Sequence, residues 1–181
     1  MILKPTTLLN INAYPDADFA GLYGNNDNND PACVRSHTGF VMTVANCPVI
    51  WSSKLQTETA LSTMEAETIA LASYCRELFP IMDQVAEILN AVGMPDPDNP
   101  TMHVTIHENN SGALILSNTL PPQFTPRSKY YEIKTIWFCE GILVRKIKVL
   151  AIERRLQLGD IFTKMPGQAT FKFLRELFIG W

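Results

Sequence analysis

The chain has 181 residues, 46% of them hydrophobic and 18% charged, with 9 Gly and 12 Pro. That composition supports one substantial core and excludes coiled-coil, collagen-like and disordered classes, and no apolar run reaches the ~18 residues of a membrane-spanning helix. The formal charge of −3 is unevenly spread: residues 1–120 hold 4 Lys/Arg against 13 Asp/Glu, and residues 121–181 hold 11 against 5. The first stretch would collect cations and the second would meet phosphates, although both also read as ordinary solvated surface.

In chain order, Leu8 to Tyr14 alternates apolar and polar at period two and reads as a strand running into Asp16, with Pro15 removing a backbone donor at its end. Gly24 to Pro31 is dense in turn formers and reads as an exposed loop. Thr38 to Ala45 and Pro48 to Ser53 form a hairpin split at Asn46 and Cys47. From Ser62 to about Val92 the apolar residues fall at steps of three and four, so a long helix is expected, kinked at Pro80. Gly93 to Pro100 is a connector, Met102 to Ile106 a fourth strand, Ser111 to Ser117 a short helix, and Leu120 to Pro126 irregular. Lys129 to Gly141 suits a helix, Ile147 to Ile152 a fifth strand, and Leu156 to Lys164 and Ala169 to Phe178 two closing helices. Three meandering strands followed by β-α-β crossovers give a mixed sheet with helices on its faces. The four cysteines lack both CxxC spacing and the density of a disulfide scaffold, so reduced thiols are expected. No secretory leader is expected either, because the start of the chain lacks that pattern.

Acidic and amide residues cluster where elements end: Asp16 and Asp18, Glu65 and Glu67, Glu108 and Asn109, and Asp160. Carboxylates gathered from distant positions are what divalent-cation sites of phosphoryl-transfer enzymes need, since hard cations take oxygen ligands. Each also has a structural reading. Ser62-Thr63-Met64-Glu65 fits a capping box, Asp16 and Asp18 suit a turn, and Asp160 suits a helical first turn. His107 beside Glu108 could ligate a metal or merely end a strand. Trp51 and Trp137 read as core residues rather than base-stacking platforms.

Six strings, in order, carry a resemblance: Asp16 to Gly21 (DADFAG), Ser36 to Phe40 (SHTGF), Trp51 to Gln56 (WSSKLQ), Ala60 to Glu67 (ALSTMEAE), Pro126 to Lys129 (PRSK) and Gly159 to Lys164 (GDIFTK). They resemble the ribonuclease H domain at the end of the Pol polyprotein of copia-type LTR retrotransposons, over about Asn12 to Phe178. The resemblance implies a single ribonuclease H-like α/β domain spanning 1–181, with its core at about 12–178: a five-stranded mixed sheet with helices on its faces. It also implies a four-carboxylate site for two Mg²⁺ or Mn²⁺ ions. Asp16 matches the residue that bridges both ions, Glu65 the helix glutamate, and Asp160 the last aspartate. Glu67 lies ~200° further round a helix than Glu65 and is expected to face elsewhere, and Asp18 is expected to support the site from behind.

The third position departs from the family: the alignment puts Asn109 where it has an aspartate, and a different gap would use Glu108. An Asn carbonyl can ligate a cation but brings no charge, so impaired activity is expected. Tyr130, Cys139 and the Arg154-Arg155 pair also depart from the usual pattern and weaken the expectation of tight hybrid binding. The implied partners are an RNA–DNA hybrid, contacted by Arg127, Ser128, Lys129 and Lys164, and the reverse transcriptase of the same polyprotein, with no membrane. The implied location is a cytoplasmic virus-like particle and the nucleus. The implied activity is hydrolysis of the hybrid's RNA strand; the alternatives are an inactive module that binds hybrid or packs on reverse transcriptase, or an unrelated α/β domain.

Overall fold

Strand β1 (Leu9–Asp18) is the spine of a five-stranded sheet in a computed structural model that describes residues 9–24, 29–93, 102–119 and 129–180, except for the side chains of 129–132. Its period-two alternation buries Ile11 and Ala13 on the core face. On one side β1 pairs antiparallel with β2 (His37–Val44), which pairs antiparallel with β3 (Cys47–Leu55). On the other side it pairs parallel with β4 (Met102–Glu108), and β4 pairs parallel with β5 (Lys148–Ala151). The order is β3-β2-β1-β4-β5, the mixed sheet expected from a meander followed by crossovers. The β2–β3 turn is one residue earlier than the sequence pattern indicates. Ala45 and Asn46 both take positive φ, 50° and 66°, and these two residues close the hairpin with the twist its strands need.

Two corrections to the expected elements bear on function. Pro15 does not end β1, which continues to Asp18. In a strand, N and C=O of one residue point to the same side, and the Pro15 carbonyl faces the β4 side. The β1–β4 ladder stops at the Ala13–Ile106 pair, so the donor that proline lacks would have had no ladder partner there. The expected helix from Leu156 to Lys164 is instead a 3₁₀ turn (Arg154–Leu156), a bend, and the single-turn helix α4 (Asp160–Thr163).

Helix α1 (Thr63–Ala91) runs unbroken past Pro80 and lays Leu71, Tyr74, Cys75, Leu78 and Met82 on the sheet, where Ile11, Phe40, Met42 and Ile106 meet them. Helix α2 (Ser111–Asn118) follows β4, and α3 (Lys129–Val144) adds Phe138, Cys139 and Ile142 to the same core. On the opposite face Leu158, just ahead of α4, and Leu174 of α5 (Gln168–Ile179) cover Val41, with Ile161 and Phe162 of α4 packed against them. Two glycines permit the close seating of α4. A Cβ on Gly39 would lie 2.6 Å from Thr163 Cγ2, and one on Gly159 would lie 2.6 Å from the Tyr14 carbonyl and 2.8 Å from Asp16 Cβ. Neither tryptophan expected in the core is buried: Trp51 is 57% exposed and packs edge-on against Phe178, and Trp137 is 41% exposed beside Phe79. No helix among the described residues is long and apolar enough to cross a membrane.

Candidate active site

The site forms where parallel neighbours β1 and β4 separate. Gln157, fully buried, fills the gap: its Nε2 donates to the carbonyls of Pro15 (2.9 Å) and His107 (3.3 Å), and its Oε1 accepts from Gly159 N–H. The next residue on each strand is acidic, Asp16 on β1 and Glu108 on β4, both buried. Sequence reasoning assigned Gln157 no role; its only signal was an amide just ahead of the Gly159-Asp160 motif. His107, pointing away from Glu108, stacks on Tyr14 at 4.7 Å and approaches Asn12 Oδ1 at 3.2 Å, so it is not a partner of Glu108 in a metal pair. Burial lowers its pKa.

The helix glutamate that joins this pair is Glu67, not Glu65. Glu65 completes the capping box: its N–H donates to Ser62 Oγ (3.1 Å), and its Oε2 accepts from Leu61 N–H (2.5 Å). The phase of α1 is set by Ala66, Ile69 and Ala70, which pack on Ala17 and Ala60 and turn Glu67 inward. Glu67 is buried, and its pKa is pushed up to about 9, first by burial and then by the charges of Asp16 and Glu108. Glu108 is pushed up to about 7, again by burial first and partly by Asp16, against hydrogen bonds from the Asn109 and Asn110 backbone. Asp16 rises to about 6 because burial outweighs the attraction of Lys164. Carboxylates that raise one another's pKa in this way share one anionic enclosure.

Asp160 opens α4 and reaches the cluster through Lys164. The Lys164 ammonium lies 2.9 Å from both Asp16 oxygens and 2.6 Å from Asp160 Oδ1, while the Thr163 hydroxyl donates to Asp16 Oδ2. Burial by itself would lower the Lys164 pKa, but Asp16 and Asp160 outweigh it and raise it. Lys164, expected on a phosphate, is therefore engaged inside the site. Asn109 lines a cleft of about 420 Å³ with Asp18, Glu67, Asn110, Arg154 and Lys164. Burial raises the Asp18 pKa, and its carboxylate folds against Gly21. Arg127 and Ser128 lie outside the described residues; Lys129 begins α3, its side chain undescribed.

Three buried oxygens in this enclosure, Glu67 Oε2, Glu108 Oε2 and Asn109 Oδ1, have no hydrogen-bond partner among the described residues. Buried acceptors left unpaired are costly, and a hard cation satisfies such oxygens. The donor chemistry therefore fits a divalent ion. Among the described residues, however, no three His, Cys, Asp or Glu side chains stand as a ready-made metal-ligand group, and Lys164 bridges Asp16 and Asp160.

A five-stranded sheet of this order, with acidic residues delivered by β1, α1, the end of β4 and α4, has the ribonuclease H fold. The structure overlays ribonuclease H1 isolated from compost, free (TM-score 0.58, 18% identity, 86% of this chain and 94% of that one) and in complex with an RNA/DNA hybrid (TM-score 0.57, 19% identity, 84% and 93%). It also overlays the N-terminal ribonuclease H domain of a Mycobacterium tuberculosis protein (TM-score 0.51, 10% identity, 93% and 97%).

In sequence, the chain is similar to the retrovirus-related Pol polyproteins from transposon TNT 1-94 of Nicotiana tabacum (27% identity over 167 residues, 92% of this chain) and transposon RE1 of Arabidopsis thaliana (27% over 172, 95%). It spans about a tenth of the length of these relatives, 11% and 10%. No protein-family model matches. The resemblance carried by the six motifs is thus found in both sequence and fold.

Proposed function

We propose that the chain is the ribonuclease H domain of a copia-type retrotransposon Pol polyprotein and hydrolyses the RNA strand of an RNA–DNA hybrid with the aid of two divalent ions, Mg²⁺ or Mn²⁺. The observation that carries this reading is the set of partnerless buried oxygens on Glu67, Glu108 and Asn109 beside buried Asp16, on a ribonuclease H fold. Asp16, Glu67, Glu108 and Asp160 would hold the ions, with Asn109 offering an uncharged carbonyl. Bound there, the ions supply activation of the attacking water and neutralise charge on the leaving 3′ oxygen. The protein's own part is preorganisation: Gln157 spaces the strands, Thr163 orients Asp16, and burial excludes competing water. Arg154 on the cleft wall is suited to a substrate phosphate, in addition to Arg127, Ser128 and Lys129. The 2′-hydroxyls would mark the RNA strand. On this reading the reverse transcriptase of the same polyprotein would be a partner, and a cytoplasmic virus-like particle and the nucleus would be the places of action.

The test is cleavage of an end-labelled RNA–DNA hybrid in Mg²⁺ and in Mn²⁺ by the chain, by Asp16→Asn and by Asn109→Asp. Expected are slow cleavage by the chain, none by Asp16→Asn, and faster cleavage by Asn109→Asp. No cleavage by a folded Asn109→Asp variant in either metal would overturn the reading. One observation favours the second reading, an inactive module that binds hybrid or packs on reverse transcriptase: an amide stands at position 109 while an ammonium fills the Asp16–Asp160 gap. Hybrid binding without cleavage by either the chain or Asn109→Asp would establish it.

A further inference from the structure

The resemblance places Lys164 on a phosphate, but the geometry uses it otherwise. An ammonium has three N–H donors, and three charge-assisted contacts engage it here, two to Asp16 and one to Asp160. Both ends of the bridge are fixed: Asp16 is fully buried in β1, and Asp160 opens α4 while Lys164, four residues on, caps its C-terminus, the helix being seated by Gly39 and Gly159. The lysine side chain keeps 24% exposure and lines the open cleft, which leaves it a way out. Among the described residues the other side of the enclosure has no such counter-ion: Glu67 and Glu108 each keep a buried oxygen without a partner there.

We propose that Lys164 is a built-in cation that fills the Asp16–Asp160 side of the metal-free site, and that a divalent ion enters this side only by displacing it. Lys164 is then a positioning residue that sets divalent-ion affinity and bridges two carboxylates until the ion arrives. This inference rests on the metal-dependent reading above. An entering ion must break three charge-assisted hydrogen bonds and leave the ammonium to solvent or to a substrate phosphate in the cleft. Removing the ammonium therefore strengthens ion binding and weakens the metal-free fold.

The experiment is calorimetric titration of Mn²⁺ into the full chain without nucleic acid, for the unaltered protein, Lys164→Met, Lys164→Gln and Asn109→Asp, together with melting in EDTA. Lys164→Met keeps the length and bulk of the stem. It is expected to bind Mn²⁺ at least tenfold more tightly than the unaltered chain, to melt lower in EDTA, and to gain more from Mn²⁺. Equal or weaker Mn²⁺ affinity in a folded Lys164→Met or Lys164→Gln protein overturns the inference, as does weakened hybrid binding in EDTA with unchanged Mn²⁺ affinity, the mark of a phosphate contact. Should neither variant fold, Mg²⁺ titration of the unaltered protein reads the Lys164 Cε resonance directly. Its movement supports displacement, and an unmoved resonance under saturating Mg²⁺ overturns it. Absence of Mn²⁺ binding from all four proteins would sink the metal-dependent reading itself, whereas binding with no gain on removing the lysine sinks this inference alone.

Discussion

On one flank of Asp16 the acidic groups are tied internally, Asp16 by the Thr163 hydroxyl and by Lys164, and Asp160 by the same ammonium. On the other flank Glu67 and Glu108 are buried to a similar degree, yet each has an oxygen with no partner, as does Asn109. The flanks solve the burial of like charge in different ways. One carries its own counter-charge; in the other, burial and the neighbouring carboxylates push the pKa values of Glu67 and Glu108 up and so favour their neutral forms. Buried carboxylates must be paired or neutralised, and the two flanks meet that requirement by different means.

The contrast breaks most decisively at the helix glutamates. Glu67→Gln is expected to lower hybrid cleavage about 10³-fold, the loss expected from an impaired ion site, whereas Glu65→Gln should leave cleavage within about twofold. The reverse order in a steady-state assay would return Glu65 to the site. Asn109→Asp adds charge to the partnerless flank and should raise Mn²⁺-dependent cleavage by roughly tenfold or more while lowering the melting temperature in EDTA.

Next in size is the pH dependence of the metal-free fold. Asp16, Glu67 and Glu108 all have folded-state pKa values above their ordinary range, at about 6, 9 and 7. Their contribution to stability is complete below pH 4 and is lost as pH climbs through those values, because the folded state then binds more protons than the unfolded one. Melting temperatures in EDTA should therefore fall from pH 5 to pH 9, and millimolar Mg²⁺ should restore them most at the alkaline end. A flat profile would mean that the flank is not protonated. Smaller still, Gln157→Leu should cost ~1–3 kcal/mol in urea unfolding, since two strand carbonyls lose their donor. The capping change Glu65→Gln should cost only ~0.5 kcal/mol by the same measurement.

The sheet was largely legible in the sequence because period-two alternation and the switch to steps of three and four are local signals that the core then uses. The extension of β1 through Pro15 was not, since it depends on where the β1–β4 ladder ends, a property of a partner about 90 residues away. The site was half legible. Asp16 and Asp160 lie where the motifs put them, whereas the choice of Glu65 over Glu67 counted helical angle without knowing the phase. Packing of Ala66 and Ala70 on Ala17 and Ala60 sets that phase, and the capping box at Ser62 already reserved Glu65 for another task. The bridge made by Lys164 was hidden for a related reason: a lysine in a basic stretch reads as surface, and only the fold brings Asp16 to it across 148 positions.

Gln157 has a geometric consequence. One amide nitrogen reaches the carbonyls preceding both Asp16 and Glu108, so the mouth of the pocket is gauged by the length of a single side chain. Trimming it by a methylene, as in Gln157→Asn, would draw the two backbones together or surrender one of the bonds. Either way the spacing of the acidic pair would change without any acidic residue being touched, so the reach between two carboxyl groups is set by a neutral side chain that belongs to neither strand.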